Sequence, residues 1–316
     1  GVGACQYFNP FGSANLGTGT ANSAALIDSL IGSIGLRGAA TLTTADASTS
    51  GEAVAWAGGS VDVAVGAQYR RSGFRHDWSD LVNRGDLLTA GVSPDFEGDQ
   101  EALAAFAEAR LHLGDRIEAQ LAGRYESYDG NEGRFSPKAA IRWDVTDALA
   151  LRASWGQGFR APSVYAQSGA QASQPSVFDR GAFVFVNTLT SGRADLKPEK
   201  SESLNLGAVW TPLEWLELGV DAWRFDYADQ VVKESAQAII NQAAADDLAG
   251  RTGTDAQSRL TRSASGALTF VQLYFINASS IETEGVDLSA RYGRDLWGGR
   301  ASAAADWTAS SRSVVS

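Results

Sequence analysis

Residues Leu151–Ser168 read LRASWGQGFRAPSVYAQS. Up to Arg160 the odd positions carry Leu151, Ala153, Trp155, Gln157 and Phe159, and the even ones Arg152, Ser154, Gly156, Gly158 and Arg160. Successive side chains of a strand point to opposite faces, so the stretch predicts a strand with one mostly apolar face and one small, cationic face. Pro162 stops it, because proline has no N–H to give a ladder. A guanidinium in mid-strand must meet water or a counter-charge. The medium on each side therefore decides what kind of sheet this is.

The same alternation recurs along the chain. Val61, Val63, Val65, Ala67 and Tyr69 oppose Asp62, Gln68 and Arg70, and Ile117, Ala119, Leu121 and Tyr125 oppose Glu118, Gln120, Arg124 and Glu126. Ala139, Ile141, Trp143 and Val145 oppose Lys138, Arg142 and Asp144, followed by Leu149–Phe159, Leu204–Trp210, Leu216–Val220 and Val286–Tyr292. About ten strands result, and the fold class is all-β and antiparallel. Tight turns are expected at Ala57–Gly59, Leu113–Asp115, Asp144–Asp147, Thr211–Glu214 and Gly293–Gly298. Long connections are expected over Arg71–Gln100, Arg160–Lys200 and roughly Val231–Thr269, with Asp129–Gly133 a short exception.

If neighbours run antiparallel, the tight turns all fall at one end of the sheet and the long loops at the other. An outer-membrane barrel has that asymmetry, with short periplasmic turns and longer outer loops. Trp56, Trp143, Trp210, Trp215 and Trp297 lie beside the tight turns, and indole rings favour a membrane interface. Tyr69, Tyr125, Tyr128 and Phe135 lie near the opposite strand ends and are expected to form a second girdle. Two stretches have helical spacing instead: Asn22–Ile34, with Leu26, Ile27, Leu30, Ile31 and Ile34, and Ala236–Leu248, with Ile240, Ala244 and Leu248. Both read as short helices in outer loops.

Composition excludes several alternatives. With 26 Lys and Arg against 37 Asp and Glu, the formal charge is −11, and no basic face is available for nucleic acid. The single Cys5 rules out an intrachain disulfide and any multi-cysteine metal site. No apolar run approaches the roughly 20 residues a membrane-crossing helix needs. The two histidines, His76 and His112, have no serine motif beside them, and no metal, phosphate-loop or EF-hand spacing occurs; GTGTAN (Gly17–Asn22) falls short of a nucleotide loop. Neither an enzyme nor a resident cofactor is expected. The triplet Asn277-Ala278-Ser279 fits a glycosylation acceptor. Without methionine or a basic-then-apolar leader, the chain reads as an internal slice of a longer protein.

Ligand contacts are expected from loop aromatics and charges. SGFRHDWSD supplies Phe74, Arg75, His76 and Trp78, and VFDRGAFVFV supplies Phe178, Asp179, Arg180, Phe183 and Phe185. Aromatic faces stack on planar or sugar ligands, and arginine pairs with anionic chelates. The plainer alternative is that these residues pack loops together, a loop hairpin alone accounting for the alternation of Phe183 and Phe185.

FSPKAAIRW (Phe135–Trp143), LRASWGQGFRAPS (Leu151–Ser163), DLKPEKSESLNLGAVW (Asp195–Trp210) and ETEGVDLSARY (Glu282–Tyr292) resemble, in order and spacing, the barrel of TonB-dependent outer-membrane receptors. CQYFNPFGSA (Cys5–Ala14) resembles a loop segment of one large subgroup. The resemblance covers most of the chain from about Ala53 and implies a transmembrane barrel of about 22 strands around an amino-terminal plug. It further implies uptake of a scarce small molecule (iron–siderophore, cobalamin or oligosaccharide), powered by the TonB–ExbB–ExbD complex and set among outer-membrane lipid and lipopolysaccharide. Residues 1–316 are then one partial barrel domain, roughly half the wall, lacking plug, TonB box, signal peptide and closing strand. A passive porin or adhesive barrel is the alternative. On this reading the odd face of Leu151–Phe159 meets lipid and the even face, with Arg152 and Arg160, looks into a water-filled or plug-filled lumen. At the barrel mouth Arg160 and Pro162 end one strand, Lys197-Pro198-Glu199 begins the next, and Arg160 is expected to face Glu199.

Overall fold

The structure, a computed structural model, describes residues 7–11, 19, 21–86, 92–128 and 131–315. Cys5, part of Cys5–Ala14 and part of GTGTAN lie outside them. Helix α1 (Ala24–Leu30), capped by Ser23, precedes a run of long strands: β1 (Leu36–Trp56), β2 (Gly59–Trp78), β3 (Phe96–Leu113), β4 (Ile117–Tyr128), β5 (Asn131–Thr146) and β6 (Leu149–Arg160), with α2 (Asp80–Arg84) between β2 and β3. A connection follows with α3 (Val164–Ser168), β7 (Ala170–Ser173), β8 (Ser176–Asp179), β9 (Ala182–Phe185) and β10 (Asn187–Ser191). The long strands resume with β11 (Glu199–Leu213) and β12 (Leu216–Lys233). After α4 (Ala236–Leu248), α5 (Asp255–Ser258) and β13 (Leu260–Arg262), the chain ends in β14 (Leu268–Leu296) and β15 (Gly299–Val315).

Among the described residues ten strands form one antiparallel wall in the order β1-β2-β3-β4-β5-β6-β11-β12-β14, with β15 on β14. All five expected tight turns join neighbours at one end. The sheet is not closed among the described residues, and β1 and β15 are its edges. Register places Trp143, Leu151, Ala208 and Val220 side by side, and likewise Ile141, Ala153, Leu206 and Ala222. These rows form one continuous apolar outer face. Ile141 is 46% exposed, Leu151 38% and Leu206 52%, so they build no dry centre.

On the inner face Arg152 bonds Asp221 (Nε to Oδ1, 2.8 Å) across β11, where Gly207 leaves the room; a Cβ there would collide with both partners. Farther along the same face Glu126 accepts from Arg70 (2.8 Å) and Arg124 (2.7 Å). An arginine turned to the hydrocarbon side would cost about 2–4 kcal/mol near the midplane, so this register is strongly specified.

Four sequence expectations need correction. Strand β1, 21 residues long, escapes the pattern because its outer positions Thr41, Thr43, Ala45, Ala47, Thr49 and Gly51 are small or hydroxylic, so no apolar stripe marks it. The Arg71–Gln100 connection shrinks to 79–95: β2 runs to Trp78 and β3 begins at Phe96. Here Arg71, Arg75 and Asp77 occupy the outer face and Phe74, His76 and Trp78 the inner one. Past the apolar band of the outer face the pattern inverts, as it would where no hydrocarbon demands apolar residues outside. Tyr128 does not join the girdle; it is buried on the inner face against Glu126 and Arg70. The Asn22–Ile34 helix is only the seven residues of α1, whereas Ala236–Leu248 is helical over its whole length.

Candidate functional site in the loop cap

The connections after β6 and β12 fold together into a cap above the long-loop rim. Its core is Val177, Val186, Ala236, Ile240, Leu268, Val271 and Leu273, drawn from β8, the residue after β9, α4 and the upper part of β14. In this part β14 pairs with β13 antiparallel and with β10 in parallel, and β10 carries β7. Ser235 caps α4 by accepting from the Ala238 N–H, which starts the helix sharply where β12 ends.

The β6–β11 connection crosses the inner side of the wall. Ser163 caps α3, and the Pro162 carbonyl accepts from Gln167 (2.9 Å) and from Gln100 of β3 (3.3 Å). Tyr165 on α3 sets its ring 5.5 Å from Phe96 of β3 and 5.7 Å from Phe275 of β14, strands separated by five others in the sheet. The sheet is thus curved enough for one short helix to span its mouth. Phe74 lies 6.2 Å from Tyr165, 5.8 Å from Phe96 and 4.6 Å from His76.

The first group of sequence candidates is therefore split. Phe74, His76 and Trp78 share the inner face of β2, their rings engaged with one another and with Phe96 and Tyr165. Arg75 points to the other face and forms an ion pair with Asp77 (2.8 Å). Phe96, Tyr165 and Phe275 were missed: no local pattern relates the three, and only the crossing of the mouth assembles them.

The second group stays together. Strands β8 and β9 form a hairpin whose turn, Arg180-Gly181, has both residues at positive φ (46° and 91°), the twist-matched geometry of a two-residue loop. Val177 and Val184 point into the cap core, whereas Phe178, Phe183 and Phe185 are 47%, 77% and 75% exposed. The hairpin is held firmly. The Gln237 amide of α4 accepts from the Phe178 N–H (2.7 Å) and donates to its carbonyl (3.0 Å), filling the edge of β8. Arg262 grips Asp179 with two nitrogens (2.7 and 2.8 Å). That hydrogen bonding holds the Asp179 carboxyl below its ordinary pKa against the opposing effect of burial. The result is a pre-positioned aromatic face with the exposed Arg180 at its tip.

A clasp closes the foot of the crossing connection. Arg160 and Glu199 stand opposite in the β6–β11 ladder and form an ion pair, and the other Glu199 oxygen accepts from the Val231 N–H (2.9 Å). Burial pushes the Glu199 carboxyl upward, but the Arg160 and Val231 hydrogen bonds and the guanidinium charge outweigh it, and its pKa is lowered. Asn277 completes the clasp: its amide donates to the carbonyls of Lys197 (2.8 Å) and Asp229 (2.7 Å) and accepts from the Lys197 N–H (2.8 Å). The glycosylation-like triplet is thus a stitch between strands. Pro198 is buried between the two anchored residues.

A family model described as "TonB dependent receptor-like, beta-barrel" matches residues 6–315. The probable TonB-dependent siderophore receptor PirA of Acinetobacter baumannii is 24% identical over 148 residues, which is 47% of this chain and 19% of that protein. The crystal structure of the siderophore receptor PirA from Acinetobacter baumannii superposes with a TM-score of 0.57 at 17% identity, covering 86% of this chain and 37% of the receptor. A ferric enterobactin receptor variant from Pseudomonas aeruginosa (PfeA), in complex with enterobactin, gives 0.62 at 16% identity over 85% of this chain and 36% of that one. At such identities the likeness establishes the fold. The chain spans under two fifths of either solved receptor.

Proposed function

The chain belongs to the TonB-dependent receptor β-barrel family, and from that premise we propose that it forms wall and capture surface of an outer-membrane receptor importing a ferric siderophore. Receptors of this family are outer-membrane proteins. Residues 1–316 serve as a partial barrel domain, the plug and remaining strands belong to the rest of the receptor, and TonB–ExbB–ExbD supplies the energy through that plug. Siderophore is favoured over cobalamin or oligosaccharide because the relatives described above are siderophore receptors and the cap offers aromatic faces beside a cation.

The observation that carries the reading is the rigid presentation of Phe178, Phe183 and Phe185 with Arg180 above the rim. Three exposed phenylalanines are costly to solubility, and Phe178 and Phe183 pair with each other (ring centroids 5.2 Å) and not with the cap core. Aromatic rings beside a guanidinium suit a planar, anionic chelate. Phe74 and His76 act one step away: both pack on Phe96, Phe74 also meets Tyr165, and Trp78 stands edge-on to His76, so they back α3 across the mouth.

The test is ferric-chelate binding and uptake by cells expressing the full-length receptor. Phe183→Ala with Phe185→Ala is expected to weaken binding by about tenfold, the scale of two lost aromatic contacts, and uptake is expected to vanish without TonB. Unchanged affinity in the double variant removes the hairpin from the site. Uptake that persists without TonB returns the passive barrel, and rescue by cobalamin or a sugar alone replaces the siderophore.

A further inference from the structure

The β8–β9 hairpin has two edges, and the cap covers Phe178 on one of them while leaving the other open. The Val186 N–H bonds to the Pro175 carbonyl (3.1 Å), so every second pair from there, Val177–Val184 and Asp179–Ala182, is a hydrogen-bonded pair of the ladder. Phe178–Phe183 and Ser176–Phe185 are the alternate pairs, and their N–H and C=O groups point away from the hairpin. On the β8 side the Gln237 amide takes both outward groups of Phe178 (2.7 and 3.0 Å). On the β9 side nothing among the described residues takes those of Phe183 or Phe185, because β9 pairs with β8 alone.

Strand edges left open to water are ordinarily blunted by a charge, a proline or a bulge. Strand β9 reads AFVF and carries none of these. Phe183 and Phe185 stand on one face of it, on either side of Val184, which packs against the cap core. Outward N–H and C=O groups with exposed side chains, repeated every second residue, match the backbone and alternate side chains of another extended chain. Arg180 adds a charge at the turn end. Its guanidinium is exposed and bonds only to the Gly266 carbonyl (3.5 Å), and no carboxylate among the described residues pairs with it, Asp179 being held by Arg262.

We propose that β9 docks an extended polypeptide segment as a third strand of the hairpin, antiparallel to β9, with apolar residues beside Phe185 and Phe183 and an acidic residue beside Arg180. Direction follows from stability and charge. An antiparallel partner pairs slightly more strongly than a parallel one, and its next alternate residue arrives at the turn, where Arg180 lacks an acid. The four residues of β9 limit the ladder to the bonded pairs at Phe185 and Phe183, so the site suits a short exposed strand or tail. A planar chelate engages the ring faces and the guanidinium; a polypeptide also satisfies the alternating backbone groups. The inference uses the hairpin of the proposed capture surface and does not depend on which small molecule the receptor carries.

The probe is a fluorescently labelled heptapeptide of threonine with phenylalanine at its second and fourth positions and glutamate at its sixth, titrated by anisotropy against the full-length receptor in detergent. Saturable binding is expected. In the antiparallel register the two phenylalanine N–H groups face β9, so N-methylating both is expected to weaken binding about tenfold, whereas N-methylating the third and fifth residues, which face away, leaves it unchanged. On the receptor, Phe185→Pro is expected to bind about fivefold more weakly than Phe185→Ala, since both lose the ring and only proline loses the outward N–H. Arg180→Gln is expected to weaken the glutamate peptide about threefold and a glutamine version not at all. Protease resistance of the hairpin reports its folding, and the N-methylated peptides give the answer without any receptor variant. Absence of saturable binding overturns the proposal. Equal binding of the two N-methylated peptides overturns it in favour of ring stacking alone, and undiminished binding to Phe183→Ala with Phe185→Ala places the peptide elsewhere. Ferric-chelate binding is measured in the same preparation: chelate bound without peptide sinks this inference alone, and peptide bound without chelate sinks the capture reading alone.

Discussion

Leu151 and Val271 are both apolar strand residues in one polypeptide, yet Leu151 is 38% exposed and Val271 fully buried. The difference separates two folding regimes. In the wall, apolar side chains face outward and polar ones inward, and no dry core is needed because hydrocarbon is the apolar phase. In the cap, standing in water on all sides, the ordinary rule returns: Val177, Val186, Ile240, Val271 and Leu273 are gathered inside. One strand, β14, obeys both rules in turn along its 29 residues. Along it the exchange separates wall from cap.

The sharpest way to break the comparison is to put a charge on each face of one wall strand. Leu151→Arg is expected to cost about 2–4 kcal/mol and to abolish insertion of the full-length receptor into lipid vesicles. Ser154→Arg, on the inner face of the same strand, leaves insertion intact. Equal effects would mean that the outer face does not meet lipid. Next in size is Val271→Ala, expected to loosen the cap by roughly 2 kcal/mol through a buried cavity. Hydrogen exchange should rise in β8, β10 and α4 while β4 and β5 stay protected; simultaneous loss in the wall would show that the two regions are not separable.

Cutting the clasp sharpens the boundary between them. Glu199→Gln removes the carboxylate but keeps an acceptor for the Val231 N–H, and because Arg160 is well exposed the expected cost is only about 1 kcal/mol. Faster proteolysis confined to the β6–β11 connection is the readout, and cleavage in the wall would contradict it. The smallest effect is a pH dependence. The pKa of Asp179 is lowered by Arg262, so the pair stabilises the cap fully above the ordinary Asp value of about 3.9 and progressively less as pH falls through the lowered one. Limited proteolysis of the β8–β9 hairpin is expected to accelerate only below about pH 4; acceleration near neutrality would implicate a different group.

The wall was legible wherever lipid imposes a period of two. Ile117–Tyr125, Ala139–Val145 and Leu149–Phe159 could be read directly because each alternates large apolar with polar residues. Strand β1 could not, since threonine, alanine and glycine satisfy its outer positions and carry no contrast. The extension of β2 through Trp78 was hidden for the opposite reason, its aromatics having moved to the inner face above the membrane. Of the site residues, the hairpin phenylalanines were visible as alternation, and Arg160 with Glu199 as the ends of consecutive strands. Phe96, Tyr165 and Phe275 carried no signal, and Asn277 only a misleading one as the head of a glycosylation-like triplet, because each gains its role from a partner far away in sequence.

Alternation, turn composition and tryptophan placement in the sequence were sufficient to specify an antiparallel wall with lipid on one side, since these depend on each residue and its near neighbours. Only the tertiary structure decided that the β6–β11 connection crosses the mouth, that its hairpin turns three phenylalanines outward, and that one edge of β9 stays unpaired. Those outcomes come from contacts across many strands, where curvature brings together residues that no local pattern relates.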